Sequence, residues 1–425
     1  MATGWQSTRR TAVPEGVVRK HHGDRLIGVF TVLLMLIGLL VIYAIGPQRA
    51  NLLNSVFGSS YSGVYFFLKQ GLSMALAMGA FWLFSKLPYE WVLKYGTAVL
   101  WAGFIACAAL AFGGWTGMIE PVNGAVRWIT LGPLGSVQPA EILKFGLLLY
   151  LAVFLAIRVK QQKINDLKET LFPVGVLTAA ALLFVIVIQK DLGTGMSLTA
   201  IVATMLFVAG INRKIIFGVI GILLVAGSLL IVTSPHRIER VATYLQGDNT
   251  STDDADAYHI QHAKIAIGSG GVFGVGIGDS VQASGYLPEA INDSIFAIIG
   301  ETFGFIGTTA LIVLFVALLM RLLNVMDHMV DVRLKLLAAG VFGWLGAHVI
   351  LNIAAMIGIF PLTGITLPLL SYGGTSMIFM AAALGVVFQL SKYTVHPSLL
   401  KEETNENSRR GRGVGRTRYA GRRST

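Results

Sequence analysis

The sequence predicts an all-α polytopic membrane protein with about ten transmembrane helices, both termini in the cytoplasm and one large outer loop between spans seven and eight. Three observations predict it. Only 13% of the 425 residues are charged while 54% are apolar, and the mean hydropathy is +0.69. A soluble domain carries about 25% charged residues, so this chain cannot cover a water-facing surface of its size. Ten segments approach the ~20 apolar residues that a membrane helix needs. Finally, Lys and Arg are distributed between the loops as a single topology requires.

The predicted spans cover residues 26–45, 64–84, 95–112, 142–157, 171–188, 195–210, 215–232, 295–319, 336–355 and 375–390. The first is long enough to cross, and Pro47-Gln48-Arg49 after it does not resemble a small-residue cleavage site, so it reads as an anchor and not a removable leader. With the N-terminus inside, the inner loops hold Lys86, Lys94, Arg158, Lys160, Lys163, Lys168, Arg213, Lys214, Arg321, Arg333 and Lys335. The outer loops hold only Arg49, Arg127, Lys190, Arg237, Arg240 and Lys264. The membrane domain is thus residues 26–392, between a basic tail at 1–25 and a basic tail at 393–425 that reads as disordered or membrane-surface chain. Much of the net charge of +11 sits in those tails. Basic flanks of membrane spans face anionic lipid, so no nucleic-acid partner is expected. Cys107 is the sole cysteine, which excludes an intramolecular disulfide.

The outer loops carry the informative residues. Ionisable groups at membrane depth are costly and mark function by default. Glu141 and Lys144 open span four three residues apart, on one helix face. Two roles fit them: a salt bridge that seats the helix, or substrate contact. Asp191, at the outer turn between spans five and six, is either the N-cap of span six or part of the outer mouth. Asp293, just after Pro288 and at the start of span eight, is either a cap or a partly desolvated general base. Arg127 and Trp128, after Asn123-Gly124, suit a phosphate or sugar but equally an interfacial anchor. Arg237 and Arg240 are placed to hold pyrophosphate oxygens, and Gln261 of the large outer loop, residues 233–294, joins the substrate-binding candidates. Glu301 lies about two turns into span eight and reads as structural, with His348 or Asn352 as its partner. The glycine run at 268–278 lacks the strand–helix context of a nucleotide loop, so it predicts turns and close backbone approach. Neither a Walker motif nor a His/Cys metal cluster is visible.

Five of these stretches, in order, resemble the signatures of the SEDS proteins (shape, elongation, division and sporulation), the FtsW/RodA peptidoglycan polymerases. Asn123-Gly124-Ala125-Val126-Arg127-Trp128-Ile129 is similar to N-G-A-x-R-W-I. Gln138-Pro139-Ala140-Glu141 through Lys144 resembles Q-P-S-E-x-x-K, and Gln189-Lys190-Asp191-Leu192-Gly193-Thr194 resembles Q-P-D-L-G-T. Tyr286 to Phe296 resembles Y-L-P-E-A-x-T-D-F-I-F, and Pro361-Leu362-Thr363-Gly364 with Leu367-Pro368 to Ser371-Tyr372-Gly373-Gly374 resembles the closing signature. Ala140, Lys190, Asn292 and Ser294 depart from the pattern, and Gly285 stands where the division branch has Glu.

The resemblance implies ten spans and a glycosyltransferase that polymerises lipid II at the outer face of the bacterial cytoplasmic membrane, with the division branch favoured over the elongation branch. It maps the family's essential aspartate onto Asp293, its paired Glu and Lys onto Glu141 and Lys144, and its D-L-G-T aspartate onto Asp191. It further implies a single-span class B penicillin-binding transpeptidase as partner, alongside other divisome or elongasome membrane proteins. A divalent cation, Mg or Mn, is the one cofactor expected, with no dedicated protein metal site. A lipid II flippase and a non-catalytic scaffold are the competing readings.

Overall fold

The computed structural model describes residues 22–119, 125–130, 132, 136–212, 214, 215, 218 and 255–394. Residues 1–21 and 395–425 of the two tails, Asn123, Arg237, Arg240 and nearly all of the expected seventh span lie outside the described residues. Within them, nine helices are long and apolar enough to cross a membrane. In chain order these are α1 (Arg25–Phe57), α2 (Tyr65–Lys86), α4 (Gly96–Trp115), α5 (Pro139–Lys160), α6 (Phe172–Leu182, extended by π-helical turns at both ends), α7 (Leu192–Ala209), α9 (Ile295–Asp327), α10 (Val332–Met356) and α11 (Gly374–Leu390). Short α3 (Tyr89–Lys94) joins α2 to α4, and α8 (Ala255–Ser269) precedes α9. The one sheet among the described residues is a two-stranded ribbon in the outer loop before α5, β1 (Ile129–Thr130) against β2 (Ser136–Val137), with Ile129 opposite Val137.

Helices α5, α10 and α11 form the centre, and the other spans surround them. Lipid supplies no hydrophobic drive between helices, so close approach depends on small residues. Gly103 of α4 lies against the backbone of Leu143, and Gly146 of α5 against that of Leu100. Gly340 and Gly343 of α10 seat against Met205 and Thr204 of α7, and Gly385 of α11 against Phe81 of α2. At one face, Asp24 caps α1 and pairs with Arg321 of α9 at 2.7 Å, while its N–H donates to Ser391 Oγ. The start of α1 and the end of α11 therefore meet at the same face of the bundle, beside Arg321 of α9.

Two spans correct the expected boundaries. The first helix does not stop at residue 45: it runs through Pro47 to Phe57. Proline at this point costs one backbone bond near the membrane boundary, where other donors or water can serve the freed carbonyl. The extension reaches the large outer loop, where Gln48 Nε2 donates to Gly278 O at 3.0 Å and Leu52 lies against Gly285. The eighth span is interrupted at Gly304, whose φ of 66° and ψ of −162° are not helical. The glycine run repairs the break. Val275 N and Gly276 N donate to the carbonyls of Glu301 and Thr302, and Phe305 N and Ile306 N donate to Gly271 O and Val272 O. The predicted turns and close backbone approach are thus seen, and their use is to satisfy a broken helix where water is scarce.

Gly274 carries both requirements of that repair. Its φ is +85°, and an added Cβ would overlap the carbonyl of Thr302. Gly274→Ala is expected to lower stability by about 2–4 kcal/mol, from overpacking and left-handed strain together. Thermal unfolding in detergent measures it; an unchanged midpoint would show that this contact is not required.

Candidate functional site

The five signature stretches lie far apart in sequence, yet the outer ends of the helices bring them into one connected group. Pro139 occupies the first turn of α5, where it has no intrahelical donor to lose. Glu141 and Lys144 follow one turn apart and are buried, 2% and 0% exposed, with Lys144 Nζ 2.8 Å from Glu141 Oε1. The ammonium also lies 4.8 Å from the ring centroid of Trp344 and 3.5 Å from His348 Nε2. His348 Nδ1 is 3.3 Å from Thr366 O. A proton on Nδ1 serves that carbonyl and turns the Nε2 lone pair toward the ammonium, which selects the neutral tautomer. The buried cation thus has a carboxylate, an aromatic face and an imidazole around it. Glu141 Oε2 and Trp344 Nε1 are buried with no hydrogen-bond partner among the described residues.

Trp344, His348 and Asn352 recur every four residues and line one face of α10. Asn352 Nδ2 donates to Asp293 O and to Ile365 O, each at 2.7 Å. One side chain therefore fixes the aspartate's backbone and the closing loop together. This corrects the expected pairing of Glu301 with His348 or Asn352. Glu301 instead accepts from Ser280 Oγ and from the backbone N–H groups of Val281 and Gln282, so it anchors the outer loop. Sequence spacing along two helices could not reveal that the loop folds back onto span eight.

Asp293 is 9% exposed and precedes α9, whose N-cap is Ser294. Ser294 Oγ bonds His259 Nε2 at 2.6 Å and donates to Pro288 O at 2.9 Å, tying α8 to this turn. Tyr372 N donates to Ile291 O, joining the same turn to the closing signature. Asp191 caps α7: its carboxylate accepts from Thr194 N, Thr194 Oγ1 and Gln138 Nε2. Arg127 donates to Gln189 O and Lys190 O, which holds its loop on the Asp191 turn. Trp128 is half-buried beside it in sequence, and Gln261 is exposed on α8. Three of the four non-glycine residues with positive φ among the described residues, Lys190, Glu289 and Leu369, fall in these stretches. Such strain persists where surrounding structure over-determines it, as at functional sites. Lys190 has φ of 53°, which a proline ring cannot adopt; the turn differs here from one with proline at that position.

Sequence reasoning missed Lys69. It lies inside the second apolar run, yet its Nζ is 5.9 Å from the ring of Tyr372 and 5.7 Å from that of Tyr65, which places a cation beside the closing signature. Burial pushes the Tyr372 phenol above its ordinary value, with Lys69 acting in the opposite sense, so the phenol stays protonated at neutral pH. A charged residue within an apolar run was the available signal. Among the described residues no group of three or more His, Cys, Asp or Glu side chains could hold a metal ion.

The bundle and its polar outer ring define an integral membrane protein whose distinctive side chains serve one membrane face. Residues 24–396 match the model of the cell cycle protein family FtsW/RodA/SpoVE. Stage V sporulation protein E of Bacillus subtilis is 33% identical over 381 residues, with 88% of this chain and 99% of that protein covered. Probable peptidoglycan glycosyltransferase FtsW of Nitrosomonas europaea is 33% identical over 371 residues, with 85% and 91% covered. Among solved structures, a peptidoglycan synthase complex that coordinates polymerization and crosslinking aligns with a TM-score of 0.67 at 24% identity, over 87% of this chain and 98% of that one. RodA of Thermus thermophilus aligns with a TM-score of 0.63 at 24% identity, over 88% and 98%. The chain belongs to the FtsW/RodA/SpoVE family, the SEDS proteins, and is a multi-pass protein of the bacterial cytoplasmic membrane.

Proposed function

We propose that this chain is a peptidoglycan glycosyltransferase that polymerises lipid II at the outer face of the membrane, with Asp293 as general base and septal synthesis as its setting. The observation that carries this reading is the position of Asp293: a buried carboxylate at the end of the bundle where the signature stretches meet, its backbone held by Asn352, on the same face of α10 as His348 of the Glu141–Lys144–His348 group. Asp293 takes the proton from the 4-hydroxyl of the N-acetylglucosamine of one lipid II. That oxygen attacks the anomeric carbon of the donor's muramyl sugar, and undecaprenyl pyrophosphate leaves with the bonding electron pair. The leaving group is already anionic, so it needs cations and not a strong acid. Lys69 and Lys144 supply positive charge within the described residues, joined in this reading by Arg237 and Arg240. Arg127 contributes by holding the neighbouring loop. A divalent cation, Mg or Mn, would here be carried by the substrate's own phosphates, and no step is assigned to it.

The septal setting draws on the FtsW name of several relatives. A single-span class B penicillin-binding transpeptidase is the proposed partner; the synthase complex that this fold resembles couples polymerization to crosslinking. Purified full-length protein in detergent, given lipid II with and without that transpeptidase, is expected to form glycan polymer on a gel. A flippase makes no product without a bilayer, so absence of polymer in both reactions would reject the enzyme reading.

A further inference from the structure

A cavity of about 400 Å³ lies at the inner face, at the opposite end of the bundle from Asp293, and the glycosyltransferase reading makes no use of it. That volume falls in the range of small-molecule sites, roughly 300–1,000 Å³. It opens where the start of α1 and the ends of α2 and α11 converge, and His22, Arg25, Lys86, Gln389, Lys392 and Tyr393 line it. Among the described residues, no carboxylate lines it. Asp24, adjacent in sequence, is engaged by Arg321 and by the first turn of α1. Lys392 Nζ donates to Ser85 O at 2.9 Å and lies 5.0 Å from the Phe388 ring, so one cation is fixed in place. Gln389 is 4% exposed, and its Oε1 accepts no hydrogen bond among the described residues. A concave site with three full cations and a buried open acceptor calls for a ligand with anionic oxygens and a hydroxyl donor.

We propose that this cavity binds the hydroxyl-bearing phosphodiester headgroup of an anionic phospholipid in the inner leaflet. The phosphate oxygens meet Arg25, Lys86 and Lys392, and a headgroup hydroxyl donates to Gln389. Depth favours lipid over a soluble anion, because Lys86 ends one membrane helix and Arg25 begins another. Leu26, Val29, Trp82 and Leu83, within four residues of those cations, are exposed apolar surface for acyl chains.

The test is native mass spectrometry and thermal unfolding of the full-length protein in detergent, titrated with phosphatidylglycerol, phosphatidylcholine or soluble glycerophosphate. Phosphatidylglycerol is expected to bind and stabilise in preference to phosphatidylcholine. Arg25→Ala with Lys86→Ala is expected to weaken its binding about fivefold for each cation removed. Both side chains are exposed, and the variant keeps Arg9, Arg10, Arg19 and Lys20 together with every arginine of the C-terminal tail, so most of the diffuse attraction to anionic lipid is preserved. Equal affinity for the two lipids in the unaltered protein, or undiminished binding in the double variant, would overturn the proposal. Equal stabilisation by glycerophosphate would make this a site for soluble anions and overturn the lipid assignment.

Discussion

Asp293→Ala is expected to lower lipid II polymerisation by a factor of about 10² to 10⁴, the usual contribution of a positioned general base. The fold should survive. The turn around Asp293 is held through its backbone carbonyl by Asn352, through Ile291 O by Tyr372, and through Ser294 by His259, and none of these contacts needs the Asp293 carboxyl. Asp293→Asn retains the shape and removes the basic oxygen, so it should be as inactive as alanine while melting like the parent. Polymer yield on a gel, with thermal unfolding measured in parallel, decides the matter. Near-parental rates in both variants would remove Asp293 from the chemistry and return it to a local structural role.

The second large effect concerns the ion pair of α5. Lys144→Met leaves Glu141 as a buried charge without its cation, and breaking such a pair costs roughly 3–5 kcal/mol. Lys144→Met combined with Glu141→Gln removes both charges and should recover most of that loss. Activity then distinguishes the two roles weighed for the pair. A double variant that is stable yet inactive assigns the pair to the substrate or its leaving group; one that is stable and active makes it a seat for the helix alone. A single Lys144→Met variant that melts like the parent would mean that the buried ammonium and carboxylate are not coupled as their 2.8 Å separation indicates.

Much of this was legible in the residues. The spans follow from apolar length, and their direction from the placement of Lys and Arg; both signals are local and add along the chain. The ring members announced themselves as polar groups in apolar surroundings, Glu141, Lys144, Asp191 and Asp293 among them. Asp191 shows how far that goes. Its capping of α7 was one of two readings, and the contact from Gln138 appears only when two outer loops are folded together.

What the sequence by itself determined is which parts of the chain enter the bilayer and which residues are too polar to be there by chance. Tertiary structure alone decided who partners whom. Glu301 is served by a returning loop and not by α10, His348 turns to Lys144, and Asn352 binds the Asp293 and Ile365 carbonyls at once. The physical reason is that burial in lipid is a property of each segment, readable from its composition. A hydrogen bond between distant stretches depends on helix rotation and on a break at Gly304, set by packing across the whole bundle.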